Sequence, residues 1–478
     1  MLFNSRVFLF AFLPVAYFVF WKLSSKQWRY VWLTISGYVF YSFWNYKFCA
    51  IMAFSTLVSY SAGLGFLKFQ DVRRRKFCLI APIAVDLSLL AFFKYFKYFN
   101  LLLSGAEWTA SLTGADHASS LIWKLHLHAL LWNKDFLAGA LLPVGISFYT
   151  FHTISYIVDS YRGTIKPTKN IFEFACYVAL FPQLVAGPIV RFRQVESDLE
   201  NLDAANRRSG LDIGWSYFTI GIIKKVLIAD SIAAVINPAL ANYSTLSTAG
   251  AWLCALGYTY QIYFDFSGYS DMAMGLGHMF GIRLPQNFNS PYKALDPSDF
   301  WRRWHISLST CLRDYLYIPL GGNRKHVYWN LLITMLLGGL WHGANSTFVI
   351  WGAYHGVLLI FYKLFHEQWD ALPALLRRSA MFVLMVLGWV LFRAESFSMA
   401  MRWLAKMLYP SGGTLFAGAA VLAFCIAIAG AIAHAAPNTF EISHDWSPQM
   451  ACAMAVGLVC CLVLITGGQR SPFLYFQF

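Results

Sequence analysis

Ionisable side chains are costly inside a bilayer, so each one within an apolar run is a candidate for function. His342 is the most informative. It stands in LLGGLWHGANSTFVIWGAYHG, with Gly338, Gly339 and Gly343 around it and Trp341 beside it. A helix starting near Tyr328 carries the imidazole roughly 20 Å along its axis, near mid-membrane, at about 1.5 Å per residue. Small neighbours let a substrate or a second helix come close. A neutral imidazole at that depth can take a proton from a hydroxyl, because its pKa lies near the working pH. Asn345, three residues on, is placed to orient the ring or to hold a carbonyl. The plainer reading, a hydrogen-bonded packing histidine, stands beside this one.

His305, in DFWRRWHISLS, is the second candidate; taken alone, a surface histidine on a basic amphipathic helix is its simpler account. Asp265 and Asp271, in YFDFSGYSDM, lie at the end of an expected span, where they either bind a substrate hydroxyl or pair with nearby arginines. His117, His126 and His128 suit an amphipathic surface helix better than a metal site, and His355 and His366 form no further constellation. No HExxH, P-loop or GxSxG pattern is present, so zinc proteolysis, nucleotide hydrolysis and α/β-hydrolase chemistry have no support. No metal site is expected. The nine cysteines include no CxxC pair, and Cys460 and Cys461 sit in an apolar run as filler.

The elements that must position these residues follow from composition. Of 478 residues, 58% are hydrophobic and only 13% charged, too few charges to coat a soluble protein of this size. Mean hydropathy is +0.52. An all-α polytopic membrane protein is expected, with about 11–12 transmembrane helices. Candidate spans are 7–21, 30–47, 49–67, 78–103, 138–158, 213–240, 251–268, 328–343, 345–364, 380–396, 415–435 and 449–467. The net charge of +14 belongs to cytoplasmic loops rather than to nucleic-acid binding. Lys22, Lys26 and Arg29, then Arg73 to Lys76, then Arg162 to Lys169 fall on one side, which puts both termini outside. The segment 172–190 has basic flanks at both ends and carries Pro182, Gly187 and Pro188, so it reads as re-entrant and lining a cavity, or else as a kinked span. The stretch 269–327 is polar but aromatic, and short helices on or dipping into the membrane are expected there. No internal repeat is visible, and a single membrane domain over 1–478 divides into N-terminal helices (1–135), a central core (136–366) and C-terminal helices with an aromatic tail (367–478).

Five segments carry a resemblance. They are LPVGISFYTFHTISYIVDSYRG (142–163), LFPQLVAGPIVRFRQV (180–195), YFDFSGYSDMAMGLGHMFGIRLPQNFNSPY (263–292), DFWRRWHISLSTCLRDYLYIPLGGNR (299–324) and GGLWHGANSTFVIWGAYHG (338–356). With them the whole chain resembles the membrane-bound O-acyltransferase (MBOAT) family, in its alginate O-acetylase branch. The resemblance implies a ring of helices around a central funnel, with re-entrant pieces thinning its middle. It matches His342 to the family's near-invariant histidine and His305 to a second one near the cytoplasmic mouth. It implies acyl transfer from a thioester to a hydroxyl, with no bound cofactor and acetyl-CoA as the donor substrate. CoA is anionic and needs a basic mouth, which Arg302, Arg303 and Arg313 could supply, although topology alone also accounts for them. The implied partners are a periplasmic esterase-like protein, the polysaccharide secretion machinery and membrane lipid. The expected location is the bacterial inner membrane, and the expected product an O-acetylated exported polysaccharide such as alginate, with cellulose or peptidoglycan as alternative acceptors. His152 stands where relatives often carry Gln or Glu and reads as a tolerated polar position.

Two rivals come from other classes. A transporter predicts inverted repeats and paired broken helices; one broken segment and no repeat are found. A structural scaffold gives no reason for a histidine among glycines at membrane depth.

The C-terminal SPFLYFQF is too aromatic for a solvated tail. One reading is an interfacial anchor. The spacing Phe473-x-Tyr475-x-x-Phe478 also resembles an FxYxxF motif of related acyl-export systems, where the tyrosine is proposed to carry the acyl group. The tail is then expected to fold back into the outer funnel and present Tyr475 to His342.

Overall fold

The computed structural model describes residues 1–113, 143, 145–204, 207–410, 412–467 and 473–474, with backbone only for 96–113 and 207–209. Among the described residues the secondary structure is helical, and a lone bridge between Leu246 and Thr414 is the nearest approach to a sheet. Helices satisfy their own backbone polar groups, the condition for crossing lipid.

The chain runs through α1 (Leu13–Lys22), α2 (Lys26–Asn45), α3 (Phe48–Lys68) and the long α4 (Val72–Thr113). Next come α5 (Ile146–Arg162), α6 (Ile171–Ala179), α7 (Phe192–Glu200), α8 (Arg207–Ile223), α9 (Ser231–Ala241) and α10 (Thr248–Met279). Two short helices, α11 (Pro297–Arg303) and α12 (Ile306–Leu312), precede α13 (Val327–His342) and α14 (Ser346–Asp370). The remainder are α15 (Ala374–Arg393), α16 (Phe397–Leu408), α17 (Ala419–Ala435) and α18 (Pro448–Thr466). Among the described residues, five stretches are long and apolar enough to cross a membrane: Phe48–Lys68, Val72–Tyr95, Ser346–Asp370, Ala374–Arg393 and Pro448–Thr466. Phe77 and Ile80 on α4, and Val456, Val459 and Val463 on α18, are exposed apolar side chains that suit contact with lipid.

Two elements differ from the sequence expectation. The span expected over 213–240 is interrupted by a π-helical stretch at Lys224–Asp230, which joins α8 to α9. The span expected to end at 268 continues to Met279, so Asp265 and Asp271 lie inside α10 and not at its end. α8 and α10 pack backbone to backbone: a Cβ on Gly221 would come within 2.5 Å of the Gly268 carbonyl, and one on Gly275 within 2.6 Å of the Gly214 carbonyl. That close approach holds α10 in the core, where its polar residues must find protein partners. The short helices expected within 269–327 are α11 and α12, and both are largely buried. Asp296 caps α11 by accepting from Asp299 N at 2.7 Å, and Pro297 starts it.

In the segment 172–190, α6 stops at Ala179 and a buried irregular stretch runs from Leu180 to Arg191. Protein groups satisfy its backbone. Tyr177 OH donates to the Val190 carbonyl at 2.8 Å, and Ile189 N–H donates to Ser307 Oγ at 2.9 Å. Irregular backbone inside a membrane protein requires such partners.

Candidate active site

His342 is the last residue of α13. Gly343 leaves the helix in extended conformation, and Asn345 starts α14 by accepting from Thr347 N at 3.3 Å. Asn345 also donates to the Glu395 carbonyl at 2.8 Å. Its side chain therefore caps a helix and ties the turn to the chain beyond α15. α13 and α14 form a hairpin with His342 at the tip. The two helices touch through glycines: a Cβ on Gly339 would lie 2.3 Å from the Phe348 carbonyl, and one on Gly352 would lie 2.3 Å from the Met335 carbonyl.

Rings surround the imidazole of His342. Their centroids lie at 4.9 Å (Trp341), 5.2 Å (Trp351), 5.1 Å (Phe392) and 6.4 Å (Phe348). His305 meets the same Trp341 ring at 6.1 Å, so both candidate histidines share one neighbour. His305 is buried, 1% exposed, which removes the surface-histidine account.

The cradle of His305 also fixes its tautomer. Asn287 Oδ1 accepts from Ser307 N at 3.2 Å and from Ser307 Oγ at 2.9 Å. Because that oxygen accepts a backbone N–H, His305 Nδ1 at 3.1 Å must also be the donor, and Nε2 carries the lone pair. The backbone of His305 is left-handed, at φ 46°, an uncommon conformation for a residue other than glycine. Ile306 N–H holds it there by donating to the Asn287 carbonyl at 2.9 Å. Asn287 thus sets both the backbone and the ring of His305, and sequence reasoning missed it.

Asp265 and Asp271 find lysines and not arginines. Both partners come from the π-helical stretch at 224–230. Lys224 Nζ lies 2.6 Å from Asp271, which also accepts from Thr439 Oγ1 at 2.7 Å. Lys225 Nζ lies 2.5 Å from Asp265 and 2.6 Å from Asp230. The other oxygen of Asp265 accepts from Leu474 N at 3.0 Å. Phe473 lies tilted against Tyr269 at 4.7 Å and meets Phe266 at 6.1 Å, and Phe266 in turn lies 4.7 Å from His305. Two residues of the C-terminal segment therefore sit buried beside the candidate site. Tyr475 lies outside the described residues, as do His117, His126 and His128.

A cavity of about 260 Å³ opens beside α11 and α12, with Arg302 and Arg313 on its wall together with Ser309, Thr310, Trp301 and Met335. A second, more polar one of about 440 Å³ shares Ser298, Tyr317, Leu331 and Leu359 with it and adds Lys363 and His366. Trp301 leads inward: its ring meets Trp351 at 5.9 Å, which meets His342 at 5.2 Å. Arg303 turns elsewhere, to Asp299 at 2.9 Å and to the Asn289 carbonyl at 3.3 Å. Arg313 shares Asp314 with Arg191, each at 2.7 Å. Burial would raise the Asp314 carboxyl, but the two guanidinium groups outweigh it and hold that carboxyl below the usual carboxylate range.

Two further groups beside the site, buried His355 and half-buried Lys94, were not legible from the sequence. His355 packs against Trp351 at 4.7 Å and Trp301 at 5.1 Å. Lys94, on α4, donates from its ammonium to the Trp341 carbonyl. His152 is fully buried against Tyr177 at 5.7 Å, away from these contacts.

The chain matches the membrane-bound O-acyltransferase family over residues 164–401. It is 39% identical to a probable alginate O-acetylase AlgI of Pseudomonas putida, over 100% of both chains. A probable alginate O-acetylase AlgI of Pseudomonas aeruginosa is 44% identical, over 85% of this chain and 75% of its own length. A peptidoglycan O-acetyltransferase of Helicobacter pylori is 36% identical, over 87% of this chain and 81% of its own.

Proposed function

The chain belongs to the membrane-bound O-acyltransferase family and is an enzyme that transfers acyl groups to hydroxyls; from that premise we propose that it moves acetyl groups across the inner membrane for O-acetylation of an exported polysaccharide. The donor is acetyl-CoA, arriving from the cytoplasm. The acceptor glycan is alginate or a chemically similar polymer, and the names of the relatives support acetyl as the group and a glycan as the destination. The observation that carries the reading is the cavity with Arg302 and Arg313 on its wall and Met335 on α13, the helix that ends in His342. Cationic walls suit the phosphates of CoA. From Met335 to His342 is about 10 Å along the helix, at about 1.5 Å per residue, so a donor arm entering beside α11 is led towards the imidazole.

The chemistry then runs through the histidines. His342 takes the proton of the attacking hydroxyl as its oxygen bonds to the thioester carbonyl carbon. The C–S bond breaks, and the imidazolium returns the proton to the leaving thiolate. His305, with Nε2 as its basic nitrogen, holds or relays a proton on the other side of Trp341's contacts. The first acceptor is the phenol of Tyr475. Its ester is more reactive than an alkyl ester, and a periplasmic esterase-like partner passes the acetyl group on to the glycan. The burial of Leu474 and of Phe473, whose ring meets Phe266, supports a tail that enters the site; in this reading both termini are periplasmic. The test is the acetyl content of the surface glycan in cells whose only change is His342→Ala. Loss of acetyl with normal membrane insertion is expected, and full acetylation would sink the proposal.

A further inference from the structure

Lys94 is a cation on α4, inside the apolar stretch that begins at Val72 in a helix running on to Thr113, and no role in the chemistry above uses it. An ammonium at that depth needs a reason. Its Nζ donates to the carbonyl of Trp341, and the hydroxyl of the next residue, Tyr95, donates to the carbonyl of Leu340 at 2.6 Å. Both carbonyls belong to the last turn of α13, which Gly343 ends by turning extended. Carbonyls in a last turn have no helical N–H to accept from, and a cation there also meets the negative end of the helix dipole. Lys94 Nζ lies 5.4 Å from the centroid of the Trp341 ring, the ring that both histidines contact. Among the described residues, Lys94, His305 and His355 lie within electrostatic reach of His342.

We propose that Lys94 is a positioning residue: with Tyr95 as a second prong, it grips the end of α13 and fixes the imidazole of His342. The inference rests on reading His342 as the base. The peptide joining Trp341 to His342 is the one Lys94 holds, so any slack there passes directly to the ring. Tyr95 supplies a neutral donor to the neighbouring carbonyl, and Lys94 adds a charge to the same grip.

The test compares Lys94→Met, Lys94→Arg, Tyr95→Phe and His342→Ala in membranes holding equal amounts of inserted full-length protein, with labelled acetyl-CoA as donor. A misplacement of about 1 Å costs on the order of 10²-fold, so Lys94→Met should lower kcat by about 10- to 100-fold with the donor KM unchanged. Lys94→Arg keeps charge and donors and should recover most of the rate, a rescue that simple filling of space does not give. Tyr95→Phe should lose only about 2- to 5-fold, as removal of one neutral hydrogen bond. Lys94→Met combined with His342→Ala should be no worse than His342→Ala alone. Should Lys94→Met fail to insert, Lys94→Gln is measured for the same split. A full rate in the neutral variant, equal loss in the Arg variant, or a raised KM with kcat held would each overturn the positioning role. An active His342→Ala overturns the base reading itself, which is a separate outcome.

Discussion

The base proposed for His342 would have to meet a hydroxyl and a thioester in one place with its ring held from more than one side, and Trp341, Trp351 and Phe392 surround that ring. Positioned proton transfer contributes about 10²–10⁴-fold, so His342→Ala should cost that much in transfer while leaving insertion intact. His305 depends on a different device, the carboxamide of Asn287. Asn287→Ala removes the acceptor of Nδ1 and of two Ser307 donors, and should lower transfer by about 10-fold, with Asn287→Asp losing less. Kinetics of the two variants at equal membrane levels check this, and equal loss in both would count against the tautomer argument. His342 was legible in the sequence because an ionisable residue among glycines in an apolar run is rare. Asn287 was not, because it stands 18 residues before the ring it orients, among other polar letters.

The α13–α14 hairpin is built by contact between glycines, and its geometry sets where the imidazole ends up. α13 has 16 residues, which gives about 24 Å at about 1.5 Å per residue, short of the roughly 30 Å of a bilayer core. A helix that starts at one face of a bilayer and stops short would leave its last residue within the membrane's depth. Gly339→Ala places a methyl against the Phe348 carbonyl, and overpacking of this kind costs about 1–3 kcal/mol. Lower thermal stability in detergent and reduced transfer are expected, and an unchanged midpoint would show that the hairpin has room. The π-helical stretch at 224–230 is a comparable device, since it turns Lys224 and Lys225 towards two aspartates on α10. Removing one partner of a buried ion pair costs about 3–5 kcal/mol, so Lys225→Met should unfold far more readily than Lys224→Met, whose site is less enclosed. The broken segment 172–190 was legible from Pro182, Gly187 and its basic flanks. The length of α10 and the π-helical stretch were not, because polar letters inside a helix look like the end of a span until their partners, 40 or more residues away, are known.

Across the full chain, the cavity beside α11 and the buried C-terminal pair approach the same aromatic centre from different elements. Arg302 and Arg313 were legible as a basic cluster, but Arg303 could not be told apart from them, since only the fold turns it to Asp299. Charge reversal at Arg302 and Arg313 together should raise the apparent KM for acetyl-CoA by about 10-fold or more and steepen with falling salt, as exposed charges are screened over about 10 Å at 0.1 M. Arg303→Glu should affect folding more than KM. The C-terminal segment carries the remaining prediction. An aromatic anchor needs only rings, whereas an acyl carrier needs one oxygen. Phe473 and Leu474 are buried, and Leu474 N–H is held by Asp265, so the register of this segment is set one residue before Tyr475. Tyr475→Phe keeps the ring and should abolish glycan acetylation if the phenol accepts the acetyl group. Phe473→Ala should loosen the segment and lower acetylation while leaving the phenol present, so the pair separates docking from chemistry. Mass spectrometry of the C-terminal peptide supplies the direct reading: an added acetyl group is expected on wild type and none on His342→Ala. Full acetylation by Tyr475→Phe would leave Phe473 and Leu474 as an anchor and send the search for the acceptor to a hydroxyl on the glycan or on the partner.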